Sequence, residues 1–545
     1  MRFSTIKRYI IIVLIGIFGL FVSAFKNDFF EIAKQIEIFT TLFKTVNVNY
    51  VDQTNPGQLM DKAIKNMLAE LDPYTVFFNE ADVVKFKINN SGEYVGIGAI
   101  VTRKNGKLIL KEIYKDYAAD KTGLKAGDEI IYINKIKVED YKEDVSQLLL
   151  GAKNTKIPIT YLRQNKQYET DITIDAVDVK AVTHYAKIND NTGYIALSQF
   201  NAKASRETRQ ALEDLKGQGI KQLILDLRGN PGGLLTEAVN ICNLFVPKNE
   251  IITTTKSKNE SHNNIYKTQF EPVDLTIPLV VIIDKKSASA SEIVSGALQD
   301  LDRAVIVGTR SFGKGLVQKP IDLVYGTQLK VTVSRYYTPS GRCIQALDYT
   351  QKDEQGNAVR TESKNFNAFK TKKGRVVYDG GGILPDVEIE ESTIDGLVDN
   401  LIKEDILFDY ATAYYYKKMN TAVKTPVISD ADFQDFKQWF KASEKGYYTE
   451  TQKTLEKVLQ VAKTEKIDKE IESQYNELLK TVQNANMAEL EKHKTQIKKL
   501  LTEELVLRTN YREGLYKYYL DNSPEIKKSL EILNNQAQYN KILKK

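Results

Sequence analysis

Cysteine and histidine are the scarce residues in this 545-residue chain. The two cysteines, Cys242 and Cys343, are too few for a disulfide scaffold or a cysteine-rich metal centre. The three histidines, His184, His262 and His493, form no HExxH or clustered ligand pattern, so imidazole chemistry is poorly supplied. Charge of one sign is scarce too. With 77 basic and 71 acidic residues the surplus is only +6, far less than a nucleic-acid binder concentrates on one face. Hydrophobic residues at 42% and charged residues at 27% are ordinary for globular proteins and exclude a wholly disordered, collagenous or polytopic membrane chain. At about 150 residues per domain the length predicts three or four domains.

What is present begins with an apolar run. Tyr9 to Phe25 are 17 consecutive uncharged residues behind Arg2, Lys7 and Arg8, with no acid before Asp28. That is the basic and apolar composition of a secretory signal, and it is just long enough to serve as an uncleaved anchor. Residues 1–25 are therefore expected to be a signal peptide or membrane anchor. The rest of the chain is expected outside the cytoplasm, in the periplasm or cell envelope.

Four textures follow. Residues 26–85 read as a helical region, with Ile32, Ile36, Phe39 and Phe43 at helical spacing and a second helix from Gly57 to Leu71 that ends at Asp72-Pro73. Residues 86–178 hold short β-rich runs: a strand from Gly96 to Val101, further strands near 108–110, 130–133, 157–162 and 168–174, and an amphipathic helix from Asp144 to Leu150. Residues 179–390 alternate strand and helix, which implies right-handed crossovers and a largely parallel sheet with its chemistry at the carboxyl ends of strands. Residues 391–545 read as helical. The last 145 residues contain only two of the 30 glycines and two of the 12 prolines, and Leu455, Val458, Leu459 and Ala462 form an amphipathic stripe.

The order of elements in 86–178, with GLKAGDEIIYIN at its centre, resembles a PDZ domain of the circularly arranged bacterial type. Such domains hold a carboxyl-terminal peptide as an added strand, with backbone amides of a glycine-bearing loop on the terminal carboxylate. The resemblance makes Gly96, Ile97, Gly98 and Ala99 the expected peptide-binding residues. A small barrel whose glycines merely relieve crowding is the structural alternative.

Three strand ends in 179–390 carry candidate chemistry. In Asp284-Lys285-Lys286-Ser287-Ala288-Ser289-Ala290-Ser291-Glu292 a strand turns through small residues into a helix, which puts a serine where unpaired amides favour developing negative charge. The same serines would also serve as an ordinary helix cap. Gly308-Thr309-Arg310-Ser311-Phe312-Gly313-Lys314-Gly315 nearly matches a phosphate-binding loop, but Gly315 stands where the magnesium-ligating hydroxyl belongs. Held between two glycines on a tight loop, a desolvated Lys314 could instead serve as the base for Ser289, with an ordinary surface loop lysine as the alternative. Arg228-Gly229-Asn230-Pro231-Gly232-Gly233 offers backbone amides for an oxyanion hole, with the amide of Ala290 as a second donor.

Taken together, LILDLRGNPGG, KSASASEI and GTRSFGKGLVQ behind a PDZ-like segment resemble the carboxyl-terminal processing peptidases, also called tail-specific proteases. The resemblance spans about 71–390. It implies Ser289 as nucleophile, Lys314 as base, Gln318 as the residue orienting that base, and Gly232 or Gly233 with Ala290 as oxyanion donors. Arg228, Glu292 and Asp300 match further family positions as structural supports.

The expected fold class is multidomain α+β and α/β: a PDZ-like barrel plus a crotonase-like (ClpP-like) protease core, with helical ends. The expected function is an exported serine endopeptidase acting through a Ser/Lys dyad on protein substrates with unstructured, apolar carboxyl termini. No cofactor, metal or nucleic acid is implied. An adaptor protein, a membrane tether and self-association through the helical ends are the further partner expectations. The competing reading is an inert PDZ-bearing binding protein of the cell envelope, and a magnesium-dependent nucleotidase is the remote third.

Overall fold

The computed structural model describes residues 29–354, 356–390, 396–419, 426–442 and 450–544. The expected signal or anchor at 1–25 lies outside the described residues. No helix among the described residues is long and apolar enough to cross a membrane.

The chain divides into two compact units, 1–77 and 78–545. In the first, one helix covers 29–49 and a second spans Pro56–Ala69. Asn55 caps the second by accepting the Gln58 amide (3.0 Å), and Pro56 suits the first turn, where its missing N–H has no partner to lose. The helix stops short of the expected Leu71. Asp72 then accepts the amides of Tyr74 (2.8 Å) and Thr75 (2.7 Å), closing the turn that Pro73 forces. Ile32, Ile36 and Phe39, the apolar stripe of the first helix, are exposed.

The second unit opens with helix α1 (Glu80–Ser91) and strand β1 (Glu93–Gly96). The strand expected across Gly96–Val101 is broken in two. The chain bends at Ile97-Gly98, where Gly98 takes φ +72°, and resumes as β2 (Ala99–Lys104). Next come β3 (Lys107–Ile113), α2 (Ala118–Lys121), β4 (Glu129–Ile133), β5 (Lys156–Arg163) and β6 (Lys166–Thr173), forming a sheet in the order β2-β3-β4-β5-β6. Leu108, Leu110, Leu124, Ile130, Ile159 and Ile172 fill its centre. The segment expected as an amphipathic α-helix at 144–150 is instead one tight 3₁₀ stretch, Val145–Leu149, capped by Asp144 onto the Ser146 amide. It buries only Val145 and Leu149, too short a stripe to extend further. Strand β7 (Asp175–Asp178) returns antiparallel to β1, so entry and exit lie side by side. Buried Lys203 pins both by donating to Gly92 O (2.9 Å) and pairing with Glu93 and Asp178.

The αβ core holds β8 (Val182–Lys187), β9 (Thr192–Leu197), α3 (Ala204–Gly217), β10 (Gln222–Asp226), α4 (Leu235–Asn243), β11 (Leu279–Ile283), α5 (Ala290–Asp300), β12 (Val305–Gly308), β13 (Leu316–Asp322), β14 (Gln328–Tyr337) and β15 (Val387–Glu388). Its sheet order is β8-β9-β10-β11-β12-β15, antiparallel only at β8–β9. The central strands are buried throughout, and β11 and β12 carry no polar side chain, because both faces of the sheet are covered. Ile195, Leu223, Leu225, Val281 and Ile306 face α3, α4 and α5. The alternate residues Tyr194, Ile224, Val280, Ile282, Val305 and Val307 pack against the end of the chain.

That end comprises α6 (Gly396–Lys403), α7 (Ile406–Lys418), α8 (Asp430–Ala442), a helix over Glu450–Glu465, α9 (Asp468–Lys492), α10 (Lys494–Asn522), α11 (Pro524–Asn534) and α12 (Gln536–Ile542). Phe433, Phe436, Leu490, Ile497 and Leu501 form a core of their own. Ile526, Ile532, Leu533 and Tyr539 cover the sheet, so α11 and α12 are a layer of the αβ core rather than an appendage to it. Between these two regions α10 breaks at Tyr511 (φ 57°, ψ −169°). At the break Tyr511 donates to Asp120 (2.7 Å) and Arg512 forks onto Glu112 (2.5 and 2.9 Å), gripping the β2–β6 sheet and its helix α2.

Candidate active site

The three sequence loops leave neighbouring parallel strands at the same end. Loop 227–234 follows β10, loop 284–289 follows β11, and loop 309–315 follows β12. Ile283 at the end of β11 pairs with Gly308 at the end of β12, and Gly308 permits this approach: a Cβ there would lie 2.0 Å from the Ile283 carbonyl oxygen. Topology thus gathers the candidate residues at the carboxyl ends of adjacent strands, the usual ligand position in such sheets.

The loops are sewn together by hydrogen bonds. Ser287 donates its hydroxyl to Leu227 O (2.8 Å), Ser291 donates to Asn230 O (2.9 Å), and both serines are fully buried. Ser289, the third candidate, is only half-buried, at the turn that starts α5. Its backbone is held at φ 55°, ψ −111°, a conformation non-glycine residues avoid, which surrounding structure must enforce. Tyr336 helps by donating to the Ser289 carbonyl oxygen (3.3 Å).

The strongest tie is Glu292. This buried carboxylate accepts four donors: the Ser289 amide (2.8 Å) and Lys314 amide (2.9 Å) on Oε2, and the Ser311 hydroxyl (2.6 Å) and Gly313 amide (2.7 Å) on Oε1. Burial pushes its pKa up, opposed by those donors. Four donors and no acceptor around both oxygens describe the site of an ionised carboxylate. One side chain therefore fixes the backbone of Ser289 and of Lys314 at once. The Phe312 amide reinforces the link by donating to Ser287 O (3.1 Å).

Lys314 is half-buried on its loop. The chain continues from Gly315 directly into strand β13, so the helix that a phosphate loop requires does not follow. Gln318, on β13, donates to Thr332 Oγ1 on the adjacent β14 (3.1 Å).

The glycine loop lies against the serine turn. A Cβ on Gly232 would sit 2.7 Å from Ala288 O and 2.9 Å from both Ala290 N and Ser289 Cβ. The two glycines differ, however. Gly232 is buried and donates its amide to Asn230 Oδ1 (2.9 Å). Gly233 is exposed, and the parallel bridge beside it uses Gly232 O and Leu234 N, leaving the Gly233 amide outside that pairing. Arg228, at the start of this loop, binds Asp226 and donates Nη1 to Ser523 Oγ and Glu525 Oε2 (2.7 Å each). The loop is thus buttressed from α11, almost 300 residues away. Asp300 is fully buried in a pair with Arg342 (2.8 Å).

Family models match in three places: a PDZ domain over residues 95–174, peptidase family S41 over 191–354, and the C-terminal helical domain of probable PDZ-proteases over 397–533. The carboxy-terminal-processing protease of Bartonella bacilliformis is 36% identical over 327 residues, covering 58% of this chain and 74% of that protein. The chain belongs to the carboxy-terminal processing proteases. A second member, the carboxy-terminal processing protease CtpA of Bacillus subtilis, is 33% identical over 306 residues, covering 55% of this chain and 65% of the relative. Among solved structures, the photosystem II D1 C-terminal processing protease aligns with 67% of the chain and 96% of its own, at 25% identity and a TM-score of 0.37. As a member of this family the chain is a serine-type protease with a PDZ domain, and the inert-scaffold alternative is disfavoured. Among the described residues no three His, Cys, Asp or Glu side chains gather as a metal site.

Sequence reading missed how these carboxy-terminal processing protease loops are held together. Ser311 and Asn230 lie inside the motifs but have no local signal for the bonds they make. Tyr336 and Glu525 lie outside every motif and meet the site only through the fold.

Proposed function

We propose that this protease cleaves peptide bonds with Ser289 as nucleophile and Lys314 as general base, after its PDZ domain has captured the substrate's carboxyl terminus. The observation that carries the reading is Glu292, whose single carboxylate binds the amides of both Ser289 and Lys314. In the first step neutral Lys314 takes the hydroxyl proton as Ser289 Oγ attacks the scissile carbonyl. The resulting oxyanion is held by the amides of Gly233 and Ala290, with Gly232 serving to support the loop. Protonated Lys314 then passes its proton to the leaving amine, an ester remains on Ser289, and water activated by the same lysine releases the new carboxyl terminus. Gln318 is the proposed orienting residue for Lys314. The Tyr9–Phe25 run behind its basic residues supports action outside the cytoplasm, and both cited relatives are bacterial.

The test uses a globular reporter carrying an apolar unstructured tail, incubated with wild type, Ser289→Ala and Lys314→Ala. Cleavage by wild type alone is expected. Equal cleavage by all three proteins would remove the dyad.

A further inference from the structure

Tyr336, near the end of β14, is buried and touches two of the site loops. Its hydroxyl donates to the Ser289 carbonyl oxygen (3.3 Å), and its amide donates to the carbonyl oxygen of Gly315, the residue after Lys314 (2.9 Å). Burial pushes the phenol pKa well up, so the hydroxyl keeps its proton and remains a donor. The Ser289 carbonyl is the firmly held end of its peptide unit. It also accepts the Glu292 and Ile293 amides from the first turn of α5 (2.9 Å each). Those two donors belong to the helix that Ser289 starts, whereas Tyr336 comes from a different strand.

A trans peptide unit is planar, with its C=O and N–H pointing in opposite directions. Holding the Ser289 oxygen on the α5 side therefore aims the Ala290 N–H the other way, out of the helix start. Ala290 is fully buried, and among the described residues its amide donates to nothing, which is rare for a buried N–H. The glycine loop borders that amide, since a Cβ on Gly232 would lie 2.9 Å from Ala290 N. Ser289 does not keep this direction by its own preference, because φ 55°, ψ −111° is avoided by non-glycine residues. We propose that Tyr336 is a positioning residue for the oxyanion hole: its hydroxyl sets the tilt of the Ser289–Ala290 peptide and so the aim of the Ala290 amide. The inference rests on the reading above in which that amide receives the oxyanion, and adds the residue that points it. A misdirected donor costs most where charge develops, in the transition state, and little in the bound substrate.

The test compares full-length wild type, Tyr336→Phe and Tyr336→Met on the tailed reporter and on a peptide aldehyde built from the residues before the reporter's cleavage point. Ser289 Oγ adds to the aldehyde carbon while its proton passes to Lys314, and the former carbonyl oxygen becomes the oxyanion with no leaving group involved. Phe keeps the ring and removes only the hydroxyl; Met removes it with a flexible body, guarding against a packing defect in either variant. In both variants kcat is expected to fall roughly three- to tenfold, the value of about one neutral hydrogen bond, and the aldehyde inhibition constant to rise by the same factor. KM and the midpoint of the pH profile of kcat are expected to stay at the parent's values. An unchanged aldehyde constant in both variants would overturn the aiming role, and so would a shifted pH midpoint, which would attach Tyr336 to Lys314 instead; either result leaves the dyad standing. A parent whose aldehyde adduct does not form on Ser289 would overturn the catalytic reading beneath it.

Discussion

Replacing Glu292 by glutamine removes one charge and almost no volume, and the structure makes the consequence calculable. A glutamine oxygen can take over two of the four donors, either the Ser289 and Lys314 amides or the Ser311 hydroxyl and Gly313 amide. The other two then face an NH₂ group, donor against donor. Two charge-assisted bonds at about 1.5–3 kcal/mol each give a gross loss of about 3–6 kcal/mol, reduced by relaxation of the exposed end of the lysine loop. At about 2–4 °C per kcal/mol this is a fall in Tm of roughly 6 °C or more. Because the bonds fix the backbone of the proposed nucleophile and base, displacement by about 1 Å should lower kcat on the order of 10²-fold with little effect on KM. Thermal unfolding and steady-state cleavage of a tailed reporter read both effects. A Glu292→Gln protein with the parent's Tm and kcat would refute the claim that this carboxylate holds the two loops in register.

Other outcomes follow from separate parts of the fold. Glu525→Ala removes the charge-assisted bond from Arg228 Nη1 and leaves the pair with Asp226, so a loss of about 1.5–3 kcal/mol and a reduced kcat are expected; unchanged values for both would disprove the buttress from α11. Truncation after Ser523 uncovers Val280, Ile282, Val305 and Val307 and removes Ile526, Ile532 and Leu533 from the core. At about 1.5–3 kcal/mol per side chain the loss is about 5–9 kcal/mol, enough to unfold the core, and a soluble, active truncated protein would contradict the reading of α11 and α12 as a layer of that core. His184 stacks on Tyr516, and among the described residues its Nε2 has no hydrogen-bond partner; burial holds its pKa below the ordinary histidine value, with Glu513 and Lys517 acting in opposite senses. The unfolded chain therefore binds this proton more readily, so stability is intact above about pH 6.5 and declines as pH falls below it. His184→Phe should lose less Tm between pH 7 and pH 5 than the parent while retaining activity, and equal acid slopes would discount the buried imidazole.

Local pattern carried the strand-and-helix alternation of the core, and the apolar runs Leu223–Leu227 and Leu279–Ile283 lie within a residue or two of the observed strands. It also located all three loops, because glycine and small residues at strand ends are chemically distinctive. It failed where structure depends on partners far away. The stretch 144–150 reads as an amphipathic helix, yet the neighbouring sheet gives it room for a single 3₁₀ turn. Ser287, Ser289 and Ser291 are indistinguishable in a row of alternating serines and alanines; only the burial of two of them and the commitment of their hydroxyls to Leu227 and Asn230 separate the third. Gly232 and Gly233 divide in the same way, by a bond from one of them to Asn230. The stripe Leu455, Val458, Leu459 and Ala462 lies on the helix Glu450–Glu465, where Val458 is exposed, whereas the residues that cover the sheet, Ile526, Ile532, Leu533 and Tyr539, come from α11 and α12, some 300 residues after the strands they cover.

The central claim is that Ser289, activated by Lys314, forms the covalent intermediate. Its most direct test is rapid acid quenching of the enzyme during turnover of a tailed substrate, followed by intact-mass analysis and peptide mapping. An acyl adduct on Ser289 that disappears in Lys314→Ala is the expected result. An adduct on Ser287 or Ser291, or an equal yield of the Ser289 adduct without the lysine, would contradict it.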